Sequence, residues 1–79
     1  MTYVHRILQT VEFKDREVTG PMVDQIIGTT RRAANRFDGD IKDVFIYCRS
    51  ANAGARSRAK EHEKDLKIEI VFIEVAGEI

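Results

Sequence analysis

Runs of strand-type composition alternate with stretches of helical periodicity along this chain, and over 79 residues that alternation leaves few architectures open. The last run, Lys67-Ile-Glu-Ile-Val-Phe-Ile-Glu-Val75, is the strongest strand. It places Ile68, Ile70 and Phe72 on one face and Val71, Ile73 and Val75 on the other. The first run, residues 3 to 13, divides into Tyr3, His5, Ile7, Gln9, Val11 and Phe13 against Val4, Arg6, Leu8, Thr10 and Glu12. Both sets are mixed, as in a strand buried at one end and more exposed at the other.

Between these, Thr19-Gly20-Pro21 reads as a helix start, with Thr19 or Gly20 as cap, Pro21 at the first helical position and Asp24 in the first turn. Met22, Val23, Ile26, Ile27, Thr30, Ala33, Ala34 and Phe37 then recur at the spacing of one helical face. Asp38-Gly39-Asp40 is expected to end the helix, with the glycine just past its last turn. Ile41 to Cys48 follows as a second strand, apolar on both faces from Val44 to Cys48 and so suited to cover on both sides. Arg49 to Gly54 reads as a polar turn. Ala55 to Asp65 reads as a surface helix with a narrow stripe of Ala55, Ala59, His62 and Leu66.

The order is therefore β-α-β-α-β, which predicts one α/β domain over residues 1–79, with a small three-stranded, mostly parallel or mixed sheet and two helices. A domain this short buries only roughly 60% of the surface its unfolded chain exposes, so a partner subunit, as in a homodimer, is expected to help. The single cysteine, Cys48, excludes an intramolecular disulfide framework and points to a reducing compartment, the cytoplasm by default. No apolar run reaches the roughly 18 residues of a membrane span, and no secretion signal is evident.

Thirteen basic and thirteen acidic residues cancel, yet residues 41–60 carry a net +4 and residues 61–79 a net −4. Arg49, Arg56, Arg58 and Lys60 fall within a dozen residues that hold no acid, enough for a local anion-attracting patch or for a solvated helix face beside Glu61, Glu63 and Asp65.

Chemistry concentrates at Glu12 and Lys14. Two places apart on a strand, they leave the same face and bring a carboxylate and an ammonium together. Metal-dependent nucleases hold Mg²⁺ with hard carboxylate oxygens and keep a cation near the attacking water, so Glu12 is the candidate metal ligand and Lys14 the candidate cation. The same pair also suits a plain surface ion pair. Arg31, Arg32, Arg49, Arg56 and Arg58 are candidates for phosphate contact.

The segment Val11-Glu-Phe-Lys-Asp-Arg-Glu-Val-Thr-Gly-Pro-Met-Val-Asp-Gln-Ile-Ile-Gly-Thr-Thr-Arg-Arg-Ala33, followed by Val44-Phe-Ile-Tyr-Cys-Arg-Ser50, Gly54-Ala-Arg-Ser-Arg-Ala59 and Ile68 to Ile73, resembles the restriction-endonuclease-like PD-(D/E)XK nucleases, in the branch that includes methylation-dependent restriction enzymes. The resemblance covers residues 10 to 75. It implies a partial nuclease core, Mg²⁺ or Mn²⁺ as cofactor, DNA as partner and phosphodiester hydrolysis as the activity. In that family a metal-binding Asp precedes the Glu-x-Lys strand, whereas here no Asp or Glu precedes Glu12. The likeness is thus to the C-terminal half of the core. A degenerate DNA-binding domain, a site completed by a second chain and a purely architectural likeness all fit; Asp15 and Glu17 read as solvated loop acids.

Two other readings come from different classes. An apolar sheet face with an Arg-bearing helix would serve a non-catalytic protein-interaction module. Tyr47-Cys-Arg-Ser-Ala-Asn-Ala-Gly-Ala-Arg-Ser57 resembles the active-site loop of rhodanese sulfurtransferases, which implies Cys48 as a nucleophile, although Gly54 stands where that loop closes on Arg. The residues alone favour an ordinary buried strand-end cysteine. His5 and His62 form no metal-ligand spacing, and the aromatic residues are expected mostly in the core, which gives no sign of base stacking.

Overall fold

The computed structural model describes residues 6–78. Three strands alternate with two helices: β1 (Arg6–Val18), α1 (Gly20–Arg36), β2 (Gly39–Ala51), α2 (Ala53–Leu66) and β3 (Glu69–Glu74). The strands form one sheet in the order β1-β2-β3, and both pairings are parallel. The chain therefore has the expected α/β fold. Tyr3, Val4 and His5 of the first expected strand lie outside the described residues.

β1 and β2 are each longer than their apolar patterns suggested. β1 continues through Lys14, Asp15, Arg16 and Glu17 to Val18, and β2 takes in Arg49, Ser50 and Ala51, where a turn was expected. The pairing explains both extensions, because the ladder resumes with Glu17 against Ser50 and Val18 against Ala51 beyond an irregularity at Lys14. Backbone hydrogen bonding to a neighbour, which composition does not report, carries polar residues into the sheet.

Helix α1 starts where Thr19 and Pro21 place it, although the Thr19 hydroxyl makes no capping bond and no acid lies in the first turn. Asp24 sits beyond that turn. Asp38, at φ 52°, takes the left-handed position after the helix, while no glycine has positive φ and Gly39 opens β2 instead. Of the expected apolar face, Val23, Ile26, Ile27, Thr30 and Ala34 are buried, whereas Ala33 and Phe37 are exposed. The buried Thr30 hydroxyl donates to the Ile26 carbonyl at 2.8 Å, satisfying itself within the helix.

Helix α2 is capped by Asn52, whose side-chain oxygen accepts from the Ala55 N–H at 2.8 Å. It ends on Lys67, left-handed at φ 56°, whose own N–H caps the Glu63 carbonyl. Only Ala55 and Ala59 are buried on it, as a surface helix requires.

The helices pack on each other and on the same side of the sheet. The core between the layers gathers Val18, Val23, Ile26, Ile27, Val44, Ile46, Cys48, Ala55, Ala59, Ile68 and Ile70. Among the described residues nothing covers the opposite face of the sheet, so the expectation that β2 is covered on both sides is corrected: Phe45 and Tyr47 are only half-buried, and Val11, Phe13 and Val71 are exposed.

Candidate functional site

Glu12 and Lys14 occupy alternate positions of β1 on the side that faces α1, and both line a cleft of about 270 Å³ between that strand and that helix. The remaining walls are Arg16, Met22, Gln25, Ile26 and Thr29. The strand supplies a carboxylate, an ammonium and a guanidinium at successive same-face positions. The helix supplies Gln25 and Thr29, four residues and so about one turn apart. The cleft is open at β1 because β1 is an edge strand, paired only with β2 among the described residues.

Arg16 is the part of this cleft that the sequence reading missed. Ending the first strand near Phe13 left Arg16 in a loop, but the same alternation that links Glu12 to Lys14, carried two residues further, would have found it. Gln25 and Thr29 gave no signal, since ordinary polar residues at helical spacing are usually solvated.

With one carboxylate and two cations, the cleft attracts anions, and a phosphate entering it would meet Lys14 and Arg16 as donors. The oxygen donors are the Glu12 carboxylate, the Gln25 amide and the Thr29 hydroxyl. Mg²⁺ accepts such a set when one carboxylate is supplemented by water and by substrate phosphate oxygens, so the donor chemistry suits it or Mn²⁺. Among the described residues, no three or more His, Cys, Asp or Glu side chains gather in a group able to hold a metal.

The candidate phosphate-contacting arginines are dispersed. Arg32 is exposed on α1 and donates to the Thr29 hydroxyl at 3.2 Å, at the margin of the Glu12 cleft. Arg31 lines a different cleft of about 410 Å³, between the end of α1 and the starts of β2 and β3, with Asp40 and Lys67. Arg49 donates to Asp15 at 2.5 Å and to the Val75 carbonyl at 2.9 Å, and also to the Gly77 carbonyl, which ties the chain after β3 to β1. Arg56 pairs with Glu74 at 3.0 Å and lies 5.4 Å above the Phe72 ring. Arg58 pairs with Asp24 at 2.9 Å and with Glu61. The sequence-local basic cluster is therefore spread over several partners.

Asp24 also receives His62 at 2.7 Å, so this carboxylate clips α1 to α2. The His62 hydrogen bond, then the Arg58 one, hold the Asp24 carboxyl below its usual range. His62 thus has a structural partner.

Cys48 is fully buried on β2. Burial first, and then the Glu74 charge, push its thiol upward, with Arg56 opposing. An activated nucleophile requires the reverse shift and access from solvent.

The aromatic residues also depart from expectation. Phe13 and Tyr47 stack on the uncovered face with ring centroids 5.2 Å apart, rather than in the core. No helix of the described residues is long and apolar enough to cross a membrane. In comparison with known proteins, the sequence matches no family model, and no curated protein or solved structure matches it either.

Proposed function

We propose that this chain is a DNA-binding, metal-dependent nuclease domain, the C-terminal half of a restriction-endonuclease-like core that hydrolyses phosphodiesters. The observation that carries the reading is the meeting of Glu12, Lys14 and Arg16 in one cleft. Glu12 is the residue that would hold Mg²⁺ or Mn²⁺, helped by the Gln25 and Thr29 oxygens. The metal, when bound, would polarise the phosphoryl oxygens and lower the pKa of coordinated water. Lys14 orients the attacking water and stabilises the charge that grows on the phosphate, and Arg16 and Arg32 position the DNA backbone. The partners proposed are DNA and a second copy of the chain, and the compartment is cytoplasmic, in keeping with an unpaired cysteine.

Incubation with plasmid DNA and Mg²⁺ or Mn²⁺ tests the assignment. Cleavage by the wild type and none by Glu12→Ala is the expected result, with both proteins showing the same circular dichroism. Equal behaviour of the two removes the catalytic role, whether both cut or neither does. DNA affinity should fall steeply with ionic strength and lose slope in Arg16→Ala.

A second reading, a protein-interaction module without catalysis, is favoured by the uncovered apolar face of the sheet. Salt-independent behaviour with no retention of DNA would select it.

A further inference from the structure

We infer that the uncovered face of the sheet is the surface on which a second copy of this chain docks, face to face and with strands antiparallel. Purely parallel sheets are found almost only with both faces covered, because their strands are apolar on both sides, and among the described residues this one is covered on one side alone. On the bare side the in-register rows are Val11, Phe45 and Val71, then Phe13, Tyr47 and Ile73. Ile7 lies beyond them at one end and Val75 at the other.

Ile7, Val11, Phe13 and Val71 are 67%, 49%, 61% and 37% exposed, and Phe45, Tyr47, Ile73 and Val75 are half-buried. At about 200 Å² for a large apolar side chain, this amounts to roughly 600 Å² of apolar surface. That is at the upper limit of the largest patch a monomer usually leaves in water, about 300–600 Å². With its polar border added, it approaches the roughly 800 Å² that each partner contributes to a standard interface.

The border selects the occupant. At one end of the apolar rows stand Gln9, Asp43 and Glu69, with the Gln9 amide donating to the Asp43 carboxylate at 3.2 Å. At the other stand Asp15 and Arg49. Nucleobases stacking on Phe13 and Tyr47 would need a basic surround to carry the phosphates. Three carboxylates and one guanidinium, already engaged by Asp15, give the opposite field. Against a second copy the opposition is relieved: a two-fold axis across the strands lays the Asp15–Arg49 pair of each sheet, whose charges cancel, over the Asp43 and Glu69 end of the other. Parallel stacking would instead set the carboxylates against each other. Two such sheets pack about 10 Å apart, close enough for Phe13 and Tyr47 to interdigitate with the facing rows.

This inference does not depend on the nuclease reading, and the readout is mass rather than cleavage. Sedimentation equilibrium of the full chain should show twice the 9.0 kDa chain mass. Phe13→Lys and Val71→Lys, both at exposed positions, should sediment as monomers with unchanged circular dichroism, whereas Lys60→Glu on α2 should remain dimeric. Glu69→Lys should weaken association at least tenfold, and less so in high salt. A wild-type chain that stays monomeric to roughly millimolar concentration overturns the inference and leaves the face to another protein. Dimers that persist in both lysine variants overturn it in favour of the β1 edge or the helical layer.

Discussion

The two faces of one sheet have opposite fates in this molecule, although their compositions are alike. Along β2, Val44, Ile46 and Cys48 are fully buried beneath the helices, while the larger Phe45 and Tyr47 between them remain partly open. Hydrophobicity does not separate the two sets. What separates them is where the crossovers land: strands laid down in the order β1-β2-β3 with crossovers of one hand send both helices to the same side. A sheet whose strand order reverses part-way puts helices on both sides. The covered face therefore supplies stability, and the bare face is the one on which we propose that a second copy docks.

The largest effect that could break this contrast is at Ile46. Ile46→Ala should cost about 2–5 kcal/mol in urea unfolding, as for other fully buried aliphatic residues. A loss no larger than that of Val11→Ala would mean that the layers are not packed as described. Next in size is the cap of the helix with the narrowest apolar stripe. Asn52→Ala removes the acceptor of the Ala55 N–H and should lower stability by about 1 kcal/mol, with amide exchange rising first in the opening turn of α2. Phe13→Ala comes third, at about 1 kcal/mol or less for the separated chain, the scale of one exposed aromatic pair. Its greater effect should be on association, and the sharpest form of the contrast is that ratio.

The smallest effect is the clip between the helices. The folded Asp24 carboxyl titrates below its ordinary 3.8, so the folded state binds fewer protons there than the unfolded chain. The stabilisation is complete above the ordinary value and is lost as pH falls through the depressed one. In Asp24→Asn that acid-side contribution to the unfolding midpoint should vanish while the neutral-pH fold persists. An unchanged acid profile in the variant would show that other carboxylates dominate.

Much of this organisation was legible in the residues. The 3.6-residue period from Met22 to Ala34 and the alternation in Ile68 to Val75 each identify one element, because each repeats often enough to outweigh local noise. Boundaries were less legible where polar residues enter the sheet. Asp15 to Glu17 and Arg49 to Ala51 look like loops, and only the ladder between them makes them strands. The same difficulty hid Arg16, a wall of the candidate cleft, whereas Glu12 and Lys14 were visible because they follow an apolar run directly.

The amino-acid order by itself determined the succession of strands and helices, the side on which each strand residue emerges, and the absence of a disulfide framework, since all of these depend on local periodicity or simple counts. Tertiary structure alone decided which of two equally apolar sheet faces is covered, that Asp24 joins the two helices rather than serving the first turn of one, and that the five candidate arginines are dispersed over the surface. Those outcomes depend on the relative placement of segments far apart in the chain, and no periodicity within a segment encodes it.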